Sequence, residues 1–126
     1  MPLYDKRYDI EDRLIDFAVR IIKFSGLLPK TKIGSHIANQ IIRCGTSPAP
    51  NYGEAQGAES RSDFIHKMKI CLKELRETKV WLKMVLKANL INPQLEVEPL
   101  IQENDQLISI FVTSIKTSKE KKPRTS

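Results

Sequence analysis

Residues 60–88 read SRSDFIHKMKICLKELRETKVWLKMVLKA. Phe64, Met68, Cys71, Leu72, Leu75, Leu82, Val85 and Leu86 recur there at helical steps, marking one face of an α-helix rather than the alternation of a strand. Ser60 or Ser62 can cap its start, because a serine hydroxyl accepts from a first-turn amide that has no helical partner. The spacing predicts a helix over about 63–88, closed by Asn92-Pro93. So long an amphipathic helix must bury its stripe against other elements, and the flanking sequence supplies them.

Upstream, Ile10, Leu14, Phe17, Ala18, Ile21 and Phe24 predict a first helix over 9–25, with Asp9 as N-cap and Gly26 and Pro29 as its stop. Ile33, Ile37, Ala38, Ile41 and Cys44 predict a second from about Lys32. Pro48 and Pro50 each lack an amide donor, so this helix must kink or break there before resuming through Asn51, Glu54 and Ala55. Downstream, Leu100, Asn104, Leu107, Ile108, Phe111 and Ile115 predict a last helix from about Pro99 to Ser118. Short links between long helices imply an all-α fold, an antiparallel up-and-down four-helix bundle over 1–118. Residues 119–126 are expected to form a basic, disordered tail.

Of the 126 residues, 40% are hydrophobic and 29% charged, a balance that excludes a disordered chain. No apolar run approaches the roughly 18 residues of a membrane span. The charged start MPLYDKRYDIEDR has no signal-peptide core, so a cytoplasmic location without membrane contact is expected. The net charge of +6 is uneven: residues 62–89 carry seven basic and three acidic side chains, 90–115 none and four, and 116–126 five and one. The basic end comprises Lys116, Lys119, Lys121, Lys122 and Arg124. Within the long helix Lys69, Lys73, Arg76, Lys83 and Lys87 share a face. Such a ladder either pairs with the acidic last helix or contacts phosphate.

The wheels also leave apolar surface unclaimed. At about 100° per residue, Ile15, Val19 and Ile22 widen the apolar arc of the first helix to about 220°, more than one core can cover. Ile70, Trp81 and Met84 gather about 110–160° from the Phe64 line of the long helix, beside Glu74 and Glu77. Clustered exposed hydrophobes mark contact surfaces, so these six residues are candidates for a subunit interface, with Trp81 as its anchor. The alternative is that other segments of the chain cover them.

Catalytic chemistry finds little support. Cys44 and Cys71 fall on core stripes, where thiols are inert and no disulfide framework forms. The two histidines, His36 and His66, offer one Asp63-x-x-His66 pair and no second copy, unlike a di-iron bundle. Glu74 and Glu77 lie one turn apart but are better explained as ion-pair partners of Lys73, Arg76, Lys79, Arg43 or Arg61. The glycines match no nucleotide-binding spacing. No enzyme activity, metal or cofactor is expected.

One run carries a resemblance. Gln40 and Arg43, then Thr46-Ser47, Ala49 and Asn51 with Glu54-Ala55, Ser60 with Asp63-Phe64, and Lys73-Glu74, Glu77-Thr78 and Trp81-Leu82 follow an order that resembles the 23S ribosomal RNA intervening-sequence (S23-type) proteins. With Phe17-Ala18 and Leu28-Pro29 the resemblance extends to Ile91. It implies up-and-down bundles that assemble into ring-like homopentamers, bacterial and of largely undefined activity. It also implies similarity to the accessory variability protein of diversity-generating retroelements, which binds a reverse transcriptase and its RNA. On this resemblance Arg43, Asn51, Glu54, Glu74 and Glu77 form a structural polar network. Two functions follow as expectations. One is an oligomeric, RNA- or DNA-associated bundle, preferring structured RNA, that uses Lys69, Lys73, Arg76, Lys83, Lys87, Lys119, Lys121, Lys122 and Arg124. The other is an adaptor for a protein partner such as a reverse transcriptase.

Overall fold

The computed structural model describes residues 6–91 and 97–120, which form five helices: α1 (Lys6–Ser25), α2 (Lys32–Thr46), α3 (Pro48–Gln56), α4 (Arg61–Lys87) and α5 (Val97–Glu120). The α2–α3 pair is the second helix of a four-helix bundle, broken where the prolines require it. Ser47 keeps helical angles, and its amide still reaches the Arg43 carbonyl at 3.2 Å. Pro48 and Pro50 then have no amide to donate, so the helix restarts with proline in its first turn. Asn51 braces this junction, its side-chain amide donating to the Ser47 carbonyl and hydroxyl, both at 2.9 Å.

Local signals set most of the boundaries. Thr31 caps α2 by accepting from the Gly34 amide at 3.1 Å, and Ser60, rather than Ser62, caps α4 by accepting from the Asp63 amide at 3.0 Å. Several boundaries differ from the sequence expectation, among them the start of the last helix, at Val97 rather than near Pro99. The first helix begins at Lys6, so Asp9 lies within it and is not its cap; Lys6–Tyr8 contain no glycine or proline to stop the helix from running back. The long helix ends before Asn92-Pro93. Asn89 adopts a left-handed φ of 55°, and the Asn89 and Leu90 amides return to the carbonyls of Leu86 and Val85 at 3.2 and 3.1 Å. Asparagine tolerates that conformation, and the two bonds satisfy carbonyls the helix end would leave bare. At the other end of the chain, α5 continues past Ser118 to Glu120.

The core is one cluster. Leu14, Phe17, Ile21 and Phe24 of α1 meet Ile37 and Ile41 of α2, Met68, Cys71, Leu75, Leu82 and Val85 of α4, and Leu100, Leu107, Phe111 and Ile115 of α5. Phe64, Leu72, Leu86 and Ile108, expected on core stripes, are partly buried against its edge. Tyr52 of α3 is buried too, edge-on to Phe111 with ring centroids 5.9 Å apart. Gly45 explains the closeness of α1 and α2, since a Cβ there would lie 2.9 Å from both Cγ atoms of Ile21. Arg13 ties α1 to α5, donating to both carboxylate oxygens of Glu103 at 2.8 and 3.1 Å. Asn104 is fully buried, its amide donating to the Leu75 carbonyl at 3.0 Å while its own oxygen finds no partner. Among the described residues no helix is long and apolar enough to cross a membrane.

Candidate nucleic-acid interface

The core stripe of α4 fixes its outward face. With Cys71, Leu75 and Leu82 buried, Lys69, Lys73, Arg76, Lys83 and Lys87 all stand in solvent along about 27 Å of helix, at 1.5 Å per residue. Their pairing with the acidic last helix does not occur among the described residues. Glu103 is taken by Arg13, and Asp105 pairs at 2.8 Å with Lys79, which lies outside the ladder.

The ladder divides in two. At its N-terminal half, Lys69, Leu72 and Arg76 of α4 face Val112, Ile115, Lys116, Lys119 and Glu120 of α5 around a hollow of about 460 Å³. Four cations therefore surround an aliphatic floor, with Glu120 the one acidic side chain lining it. The Lys69 ammonium, through its side-chain contact with Lys119 and then through its charge, lowers the Lys119 pKa below the ordinary lysine value. Lys116 and Lys119 thus extend the ladder from a second helix instead of belonging to a tail. Lys121, Lys122 and Arg124 lie outside the described residues. At the other half, Lys83 and Lys87 border a groove floored by Ile33, Ile37, Val80, Met84 and Leu90. Lys73 lines neither. Val112 carried a signal in the sequence only as an apolar position off the main stripe, whereas Ile33, expected on the core stripe of the second helix, is instead 60% exposed at this groove, one turn before the buried Ile37.

Of the interface candidates, Ile15, Val19, Ile22 and Met84 are exposed, Ile22 at 54%. Ile70 and Trp81 are half-buried. The Trp81 indole is engaged within the chain: it packs edge-on against His36 of α2, centroids 5.9 Å apart, and donates to Glu77 at 3.0 Å.

The five polar candidates do not form one network. Arg43 of α2 reaches Glu74 at 3.4 Å, Glu77 at closer range, and Gln40 at 3.1 Å, so Arg43, Glu74, Glu77 and Trp81 make one group that joins α2 to α4. The Trp81 indole, helped by Arg43, holds the Glu77 carboxyl below the usual carboxylate range. Glu54 pairs separately with Lys67 at 2.9 Å, joining α3 to α4, and Asn51 stays at the Ser47 junction.

The thiols are placed for packing. Burial raises the Cys44 pKa and pushes that of Cys71 up to about 12, and the Cys71 thiol donates to the Pro48 carbonyl at 3.5 Å. Both should resist a disulfide reagent at pH 8 in native protein and react only as fast as the chain unfolds; rapid labelling of either in absorbance kinetics would contradict this burial. Among the described residues no three His, Cys, Asp or Glu side chains gather where a metal ion could be held.

Comparison with known proteins bears directly on this architecture. A protein of unknown function from the S23 ribosomal protein family of Bacteroides thetaiotaomicron VPI-5482, known from a crystal structure, is 32% identical with a TM-score of 0.80; the match covers 89% of this chain and 99% of that one. No protein with a curated description matches. The family model described as 23S rRNA-intervening sequence protein matches residues 6–113, well beyond Ile91 and into α5, but short of Lys116 and Lys119. This chain belongs to the 23S rRNA-intervening sequence protein family.

Proposed function

We propose that this protein is a non-enzymatic, self-associating bundle that binds the phosphate backbone of structured RNA. The observation that carries the reading is the convergence of Lys69, Arg76, Lys116 and Lys119 on one hollow, against a single acidic neighbour. Two like charges held close enough to depress the Lys119 pKa are relieved when a phosphate sits between them. The ribosomal RNA setting in the family's description favours RNA over DNA. Anisotropy of a fluorescent structured RNA across a salt series tests this. The logarithm of the affinity should fall linearly with the logarithm of salt, with a slope of about −0.9 per phosphate and so about −4 for four cations. Absence of binding at low salt would remove the reading.

Self-association rests on two complementary faces. The exposed stripe of Ile15, Val19 and Ile22 on α1 runs beside Asp12 and Asp16, whereas the groove of Ile33, Val80 and Met84 runs beside Lys83 and Lys87. An acid-edged apolar ridge on one copy fits a base-edged groove on the next, a head-to-tail contact that closes into a ring, with five subunits as the sequence resemblance implies. Val19→Asp should reduce the particle to a smaller mass in light scattering; an unchanged mass would exclude the α1 stripe from the contact. The adaptor reading uses the same groove for a different protein, and is favoured if the parent chain is monomeric.

A further inference from the structure

The hollow between α4 and α5 holds more than cations. Its lining is aliphatic between the charges: Leu72 is half-buried, Ile115 is nearly covered, and Val112 is 40% exposed. A site built only for a duplex backbone has no use for that floor, because paired RNA presents phosphates and sugars outward and keeps its bases stacked inside. The charged rim and the apolar floor together ask for a ligand with anionic groups flanking a flat, weakly polar body. An unpaired nucleotide turned out of a helix has that form, and the hollow's volume of about 460 Å³ leaves room for a base.

We propose that this hollow receives a single unpaired nucleotide of an otherwise helical RNA, its base lying on Leu72, Val112 and Ile115 and its flanking phosphates held by Lys69, Arg76, Lys116 and Lys119. The inference rests on the RNA-binding reading above and specifies which part of an RNA enters the site. Leu72, Val112 and Ile115 carry no side-chain donor or acceptor, so the floor reads the presence of a base and not its identity. The charge argues for a nucleic acid over a protein, since four basic side chains against Glu120 exceed what one acidic residue of a peptide would neutralise. The family match ends at residue 113, so the α5 half of the rim, Lys116 and Lys119, is a feature of this chain outside the matched span.

Three RNA hairpins of one stem sequence test this by anisotropy at a single salt concentration: fully paired, with a one-nucleotide adenosine bulge, and with an abasic residue at the bulge. The abasic hairpin keeps the phosphates and the flexibility of the bulge and lacks only the base. The adenosine bulge is expected to bind about tenfold tighter than the abasic one, as burial of roughly 50–60 Å² of apolar surface would give. Uridine in place of adenosine should bind within about twofold. Val112→Asn, which changes polarity without charge at an exposed position, should bring the ratio of the two bulged hairpins close to one. Equal affinity for the adenosine and abasic bulges, with both binding, would overturn the nucleotide pocket and leave backbone binding intact. Failure of all three hairpins to bind would overturn the RNA reading itself. A leucine-containing acidic peptide that displaced the bulged hairpin and bound more tightly than it would overturn the proposal in favour of a protein partner.

Discussion

Replacing Lys69, Lys73 and Arg76 together by glutamate is expected to weaken binding to structured RNA by about a thousandfold at 50 mM salt, and to flatten the salt dependence by about two slope units, one each for Lys69 and Arg76 of the hollow. The Lys69 and Arg76 reversals each remove a phosphate contact and add a repulsive charge, the Lys73 reversal adds a third repulsive charge on the same helix face, and a ring would repeat the change in every subunit. The fold should survive. All three side chains stand in solvent, and none forms an ion pair among the described residues. A glutamate at 69 would also face the Lys119 ammonium, replacing a repulsive neighbour with an attractive one. Circular dichroism and light scattering should therefore match the parent while anisotropy does not. Retained RNA affinity in a folded triple variant would refute the basic-face reading. Lys79→Glu is the informative contrast, because it breaks the Lys79–Asp105 pair of 2.8 Å and should act on the packing of α4 against α5.

The second large effect belongs to the core. Asn104→Asp should cost about 3–5 kcal/mol at pH 7, whereas Asn104→Leu should fall within about 1 kcal/mol of the parent. Asn104 is fully buried; its amide satisfies one contact, to the Leu75 carbonyl, while its oxygen already lacks a donor. A carboxylate there would turn the Leu75 contact from attractive to repulsive and bury a charge with nothing opposite it. Leucine instead removes the unsatisfied oxygen, and the Leu75 carbonyl keeps its place within α4. The pH dependence has a definite sign. Burial raises the folded pKa of the introduced carboxyl above its unfolded value near 4, so the deficit is full above the folded pKa and disappears as pH falls below about 4. The protonated acid can then donate to Leu75 as the amide did. Urea unfolding at pH 7 and pH 4 measures both, and an Asn104→Asp protein as stable as the parent at pH 7 would show that water or another donor reaches this position.

Much of this fold was legible one residue at a time. Ser60 acts as a cap, and Pro48 and Pro50 break a helix, through contacts that span no more than four residues; the Thr31 cap is equally local, although the sequence alone places that start only near Lys32. The stripes of Leu14, Phe17 and Ile21, of Cys71, Leu75 and Leu82, and of Leu107, Phe111 and Ile115 have the helical period in any context and say which faces must be dry. Even the stop at Asn89 was local, although Asn92-Pro93 is the louder signal and Asn89 acts only because the chain adopts a left-handed turn there.

The candidate site was legible only in part. A helical wheel places Lys69 and Arg76 on the solvent side of α4 but cannot say which helix lies beside them. Their meeting with Lys116 and Lys119 depends on how far α5 runs and on the packing of α5 against α4, relations between residues some 40 to 50 positions apart. The same holds for Trp81, whose engagement by His36 and Glu77 follows from where α2 sits, and for the polar candidates, which packing divides among separate helix contacts. Sequence alone determined the elements and their buried faces, because propensity, capping and periodicity act within a turn or two. Tertiary structure decided which charged faces meet, because relative rotation and offset of packed helices come from the interlocking of side chains across the core.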